Sequence, residues 1–188
     1  MNLLLSKWPD LIINILGVLI GGLLAYVIAK WQITRQSKDK LKDDLKLLDN
    51  KYLKVCVEAR DNRNTAEQLY KAIRDVGPEA TLEEWHYFIS IGNKLSFLYF
   101  HDILRSGLNN LLPDKVNDEM YTANEMAQNL YHYIQQCANH SFALRSIPNP
   151  KVGLNLPLEN LKTYSKTVWD HLKYSVDVLY KHKDKESA

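Results

Sequence analysis

The sequence predicts an all-α protein: a single N-terminal transmembrane helix that continues into a cytoplasmic bundle of about five helices. Three observations lead there. An uncharged apolar run from Leu11 to Ala29 has the length of a bilayer core. From Leu41 to Ile73 apolar residues step by threes and fours, with neither Gly nor Pro between Ser37 and Asp75. No stretch alternates as a strand does, and nothing repeats internally.

The first element is LIINILGVLIGGLLAYVIA, nineteen residues whose only strongly polar side chain is the Asn14 amide. At about 1.5 Å per residue it spans roughly 28 Å. Gly17, Gly21, Ala25 and Ala29 recur every fourth position, a GxxxG seam extended by two alanines, where another backbone can approach closely. Asn14 lies one turn before Gly17, and an identical amide on a neighbouring copy is its easiest partner in lipid. The seam predicts self-association; a plain anchor with incidental small residues is the simpler alternative.

Before the run only Lys7 and Asp10 are charged, whereas Lys30, Arg35, Lys38, Lys40, Lys42 and Lys46 follow it. Positive charge stays inside, so the C-terminal side is expected in the cytoplasm and the chain in the inner (plasma) membrane. Trp8, Trp31 and Tyr26 stand where an aromatic belt would. Val27-Ile28-Ala29 also reads as a signal-peptide cleavage site, but a cleaved leader carries its positive charge before the apolar run.

These signals divide the chain into an anchor or pore segment, residues 1–35, and a ligand-sensing and oligomerisation domain, residues 36–188. Of 24 basic and 22 acidic residues, Lys7, Lys30, Arg35 and Asp10 precede position 36, which leaves 21 of each in the domain. A neutral domain is no footprint for bulk nucleic acid. Cys56 and Cys137 form no motif and suit a reducing compartment. The 6 histidines show no metal-binding spacing, so neither a metal nor a cofactor is expected.

Leu41, Leu45, Leu48, Tyr52, Val55, Ala59, Asn62, Ala66, Leu69 and Ile73 form a heptad seam continuing the membrane helix. It suits a coiled coil near the membrane and a domain core further on. Asn62, its polar member, is expected to fix register and strand number. Gly77-Pro78 ends the helix. Thr81-Leu-Glu-Glu84 is a capping box opening a second helix, which breaks at Gly92-Asn93. The apolar stretch Lys94–Leu112 predicts a buried central helix. Asp114 is placed to cap a long helix to about Leu144 whose core positions are Met120, Ala123, Ala127, Leu130, Ile134, Cys137 and Ala138. Ser146–Pro157 is irregular. Pro157 suits the first turn of a last helix to about Lys181, with Leu161, Tyr164, Val168, Leu172, Val176 and Leu179 inward. A frayed polar tail follows.

No P-loop, GxSxG, CxxC or paired-carboxylate arrangement is present, so no catalytic residue is assigned and the chain is read as non-enzymatic. Helical RNases of the HEPN class need a closely spaced Arg and His; none of Arg35, Arg60, Arg63, Arg74, Arg105 and Arg145 has a histidine within the seven residues after it. What remains is a binding site. His132, Gln136, Asn139 and His140 share a face of the long helix, leading to Arg145, Lys151 and the irregular loop. His132, Asn139, His140, Arg145 and Lys151 are the ligand-binding candidates, as donors to phosphate oxygens and base edges. The simpler reading is packing tyrosines, satisfied histidines and a plain connector. Trp85-His86-Tyr87 is a second cluster, read as helix packing, as are Trp169 and His171.

The span, its Gly17/Gly21/Ala25/Ala29 seam, the Leu41–Ile73 heptads and the lack of an enzyme motif together resemble the small membrane-anchored effectors of type III CRISPR systems. That family pairs a transmembrane helix with an all-α cytoplasmic domain and forms tetramers. The resemblance implies antiviral defence, a cyclic oligoadenylate ligand (cyclic tetra-adenylate foremost), homotetramers, and a pore or a disrupted membrane. It places no ligand residue. A second resemblance is to the pore-forming accessory protein of type VI-B CRISPR systems, weakened by the missing Arg/His pair. The alternative from another class is a membrane-anchored scaffold acting through protein partners.

Overall fold

The structure is a computed structural model. It describes residues 8–77, 79–146 and 156–186, and side chains only within 20–77, 79–146 and 157–184. Among the described residues it is all-α: α1 (Trp8–Arg74), α2 (Leu82–Gly92), α3 (Leu98–Arg105), a 3-10 turn (Leu108–Leu111), α4 (Asp114–Arg145) and α5 (Leu156–Glu186). Compact packing divides the chain into Met1–Lys46 and Leu47–Ala188.

The described part of the first unit is the N-terminal stretch of α1, and its large apolar side chains from Ile20 to Ile33 are exposed within one copy. Ile20, Leu23, Leu24, Val27, Ile28 and Trp31 are all exposed. Asn14 and Gly17 lie outside the described side chains, as do the first nine residues of the Leu11–Ala29 run. Among the described residues no helix is long and apolar enough to cross a membrane. Gly21 meets nothing within 4 Å where a side chain would stand.

The second unit is built on the heptad seam. From Leu48 through Tyr52, Val55, Ala59, Ala66, Leu69 and Ile73, every apolar seam residue is buried against the chain's own helices, whereas Leu41 and Leu45 are each 48% exposed. Two core clusters follow. Near the C-terminal part of α1, Ala66, Leu69 and Ile73 pack with Trp85, Phe88 and Ile91 of α2, Ala127, Leu130 and Ile134 of α4, and Leu161, Val168 and Leu172 of α5. Nearer Leu48, Tyr52, Val55 and Cys56 pack with Phe100 and Ile103 of α3, Val116 and Met120 of α4, and Val176 and Leu179 of α5. The Tyr52 hydroxyl donates to the Leu179 carbonyl over 2.9 Å, tying α1 to α5. Gly92 is required by proximity: a Cβ there would stand 2.6 Å from Ile134 Cδ1.

The capping box at α2 is present. The Glu84 amide donates to Thr81 Oγ1 at 3.2 Å and the Thr81 amide to Glu84 Oε2 at 2.6 Å, which uses two otherwise orphaned donors.

Four expectations are corrected. Lys94–Leu112 is not one buried helix. The chain turns at Asn93-Lys94, runs without helix through Leu95–Phe97, forms the short α3, and turns again at Gly107. Gly107 has φ +69°, left-handed backbone that favours glycine, and the 3-10 turn starts from it. Only Phe100, Ile103, Leu108 and Leu112 fill the core from this region, together with Leu95, while Leu98 is 67% exposed. Asn62 sets no register between copies: its side-chain amide donates to the Ser96 carbonyl (2.7 Å) and its oxygen accepts from the Ser96 amide (2.9 Å). Asp114 does not cap α4. Pro113 holds the cap position without a side-chain bond, and Asp114 sits in the first turn, where its charge still complements the helix dipole. The last helix does not fray after Lys181 but continues to Glu186.

Beside Asn62, one turn earlier on α1, the Glu58 carboxylate is 6% exposed. It accepts from Ser96 Oγ (2.6 Å), the Phe100 amide (2.9 Å) and the Tyr99 amide (3.3 Å). A negative charge from a distant helix thus caps the start of α3, where unpaired amides and the helix dipole favour an anion. Glu58 and Asn62 together hold the Leu95–Phe97 segment and α3 onto α1.

Candidate functional site

The predicted site lies at the C-terminal end of α4. The helix buries Leu130, Ile134, Cys137, Ala138, Ser141 and Leu144, which turns Gln136, Asn139 and His140 to the opposite, exposed side. Tyr133, Gln136, Cys137 and His140 of α4 meet Pro157 and Asn160 of α5 around a pocket of about 150 Å³. The tyrosine ring of this wall stands 4.7 Å from that of Tyr164 on α5. Among the described residues no carboxylate lines the pocket. Its polar groups are amides, an imidazole and a phenol, suited to hydrogen bonding with a neutral or anionic ligand.

Burial pushes the Cys137 thiol up to about 11, against which a hydrogen bond from Tyr133 works only in part, so the thiol is held protonated at neutral pH. Burial likewise raises the Tyr133 and Tyr164 hydroxyls, so both stay protonated donors at neutral pH. Among the described residues no group of three His, Cys, Asp or Glu side chains could hold a metal ion.

The structure brings His140 together with Gln136 and leaves Asn139 beside them, exposed. His132 is exposed two turns earlier, roughly 12 Å along the helix, with its ring edge-on to Tyr131 and outside the pocket wall. Arg145 is engaged elsewhere: its guanidinium Nη2 donates to the Ala80 carbonyl, pinning the connection before α2 to the end of α4. Lys151 lies outside the described residues. Of the second cluster, Trp85 is buried edge-to-face on Phe88, and His86 stands 5.8 Å from the Phe142 ring. Trp169 stacks on Tyr70.

A larger concavity of about 770 Å³ was not foreseen. It is lined by Asn93–Phe97 and by Leu98, Tyr99, His101, Asp102 and Arg105 of α3. Reading Lys94–Leu112 as a buried helix hid these residues. A sequence signal was there in Lys94, Ser96, His101, Asp102 and Arg105, more polar side chains than a buried central helix requires.

No protein-family profile, curated protein or solved structure matches this chain.

Proposed function

We propose that this protein is a non-enzymatic, ligand-responsive membrane effector. Its N-terminal helix anchors it in the inner membrane with the helical body in the cytoplasm. Copies associate through Asn14, Gly17, Gly21, Ala25 and Ala29, as a tetramer in the arrangement the family resemblance implies. The helical body binds a cyclic oligoadenylate, cyclic tetra-adenylate foremost, and binding opens a pore or breaks the bilayer as an antiviral response. The observation that carries this reading is that a lipid-length uncharged run and a segment rich in cations follow one another within α1.

A ligand changes a membrane protein only by binding one arrangement better than another. The pocket at His140 is small: about 150 Å³, against roughly 300–1,000 Å³ for ordinary small-molecule sites. One copy therefore grips only an edge of a cyclic tetranucleotide, and the remainder falls to a neighbouring copy. Such a shared ligand favours the arrangement in which two sites face each other. Leu41 and Leu45, exposed in one copy and in register with the core seam, offer a surface along which that arrangement can close.

A thermal-shift screen of the full chain in detergent, with cyclic mono-, di- and tetranucleotides, tests this reading. A ligand held only by the native state raises the melting temperature as its concentration passes Kd. If no cyclic nucleotide moves the transition, the scaffold reading takes over.

A further inference from the structure

We infer that the groove along Asn93–Arg105 binds a nucleoside di- or triphosphate, with the base on Tyr99 and the phosphates on Lys54, Lys94 and Arg105. The site is separate from the α4 pocket and does not depend on the reading above.

The groove's volume of about 770 Å³ falls within the roughly 300–1,000 Å³ of small-molecule sites. Its floor is preorganised. Glu58 and Asn62 hold the backbone and hydroxyl of Ser96 from beneath, through three bonds of 2.6 to 2.9 Å. Because Glu58 already occupies the amides of Tyr99 and Phe100, an incoming anion is not drawn to the helix start and must find side chains. Those side chains are at hand. Among the described residues the side chains of Lys94 and Arg105 line the groove and make no ion pair and no hydrogen bond. The Lys54 ammonium stands 5.5 Å from the centre of the Tyr99 ring, which places a cation beside an aromatic surface. Asp102, the one lining carboxylate among the described residues, is paired with Lys51 at 3.0 Å and so is answered from outside. Tyr99 is 37% exposed, enough to present its ring to a base. Lys94 and Arg105 in the groove lining, with Lys54 over the Tyr99 ring, set cations and an accessible aromatic surface side by side, which matches a polyphosphate carrying a base, since stacking and charge are both required.

The test is calorimetric titration of the full chain in detergent with ATP, GTP, CTP and UTP, and with adenosine and inorganic pyrophosphate as partial ligands. At least one triphosphate is expected to bind more tightly than adenosine and than pyrophosphate. Lys94→Gln and Arg105→Gln should each weaken it roughly 10- to 150-fold. Tyr99→Ala should weaken it about 5- to 150-fold, whereas Tyr99→Phe keeps the ring and keeps binding. Circular dichroism shows whether each variant retains its helices. The inference is overturned if none of the four triphosphates binds at millimolar concentration. It is equally overturned if Tyr99→Ala, folded, binds as the parent does, or if pyrophosphate binds as tightly as the best triphosphate.

Discussion

Glu58 offers the sharpest test of how the second unit is held together. Its carboxylate accepts three hydrogen bonds at 2.6, 2.9 and 3.3 Å while only 6% exposed. Glu58→Ala removes all three and leaves the amide donors of α3 without their partner. A lost cap costs about 1 kcal/mol, and a hydrogen bond to a charged group about 1.5–3 kcal/mol. The three bonds share one carboxylate and do not add, so about 3 kcal/mol is expected for Glu58→Ala. Glu58→Gln keeps one acceptor oxygen and turns a new donor towards existing donors, for about 1.5 kcal/mol. At about 1.4 kcal/mol per tenfold, these correspond to roughly 150-fold and 10-fold faster opening of α3. Hydrogen exchange at the Tyr99 and Phe100 amides in the full chain reads this directly, with the core of α5 as an internal reference. Asn62→Ala should accelerate the same segment, and the double variant should fall short of the sum, because both side chains hold Ser96. Unchanged protection of Tyr99 and Phe100 in Glu58→Ala would refute the capping role.

Three further outcomes are expected. A Cβ at Gly21 would meet nothing within 4 Å in one copy, so Gly21→Leu should leave the helical body's melting transition unchanged yet weaken cross-linked oligomers in detergent; an unchanged ladder argues against the small-residue seam. Burial raises both the Cys56 and Cys137 thiols from 9.0 to about 11, so the fold favours their protonated forms. Their contribution is whole below about pH 9 and lost as pH rises towards 11, by up to about 1.4 kcal/mol per pH unit for each thiol. Tyr133 and Tyr164 act in the same direction at higher pH, and urea midpoints from about pH 8 to about pH 10 should fall accordingly. At the α4 site, His140→Ala should weaken cyclic-nucleotide binding roughly 10-fold or more with stability intact, whereas Arg145→Ala should also lower the melting temperature, because it strips the Ala80 carbonyl of its donor. Equal melting temperatures for those two variants would contradict the pinning role of Arg145.

What the sequence disclosed and what it hid divide along a physical line. Period is local, and it was legible in the seam from Leu48 to Ile73 and the buried face of α4 from Met120 to Ala138, as was the Thr81/Glu84 box; the cap of α4 was not, because Pro113 rather than Asp114 holds it. Partners far apart in sequence were not. Asn62 reads as a polar interruption of a coiled coil until Ser96 is seen against it, and nothing local marks Glu58, whose partners lie some forty residues further on at the start of α3. The same absence of local signal explains Lys94–Leu112. Its Phe, Tyr and Leu content suggests burial, yet Leu98 and Tyr99 face outward because the turns at Asn93 and Gly107 set the direction of α3. Of the candidate site, the helix face carrying Gln136 and His140 followed from spacing. The use of Arg145 on Ala80 depended on where the connection before α2 returns, which spacing does not carry.

The most direct measurement is release of a trapped dye from proteoliposomes containing the full chain, with and without cyclic tetra-adenylate. Release that depends on ligand, grows with its concentration and is lost in Gly21→Leu is the expected result. Stable insertion with no release at saturating cyclic tetra-adenylate would contradict a ligand-gated effector. Failure of the chain to remain with the vesicles after an alkaline wash would contradict the anchor itself.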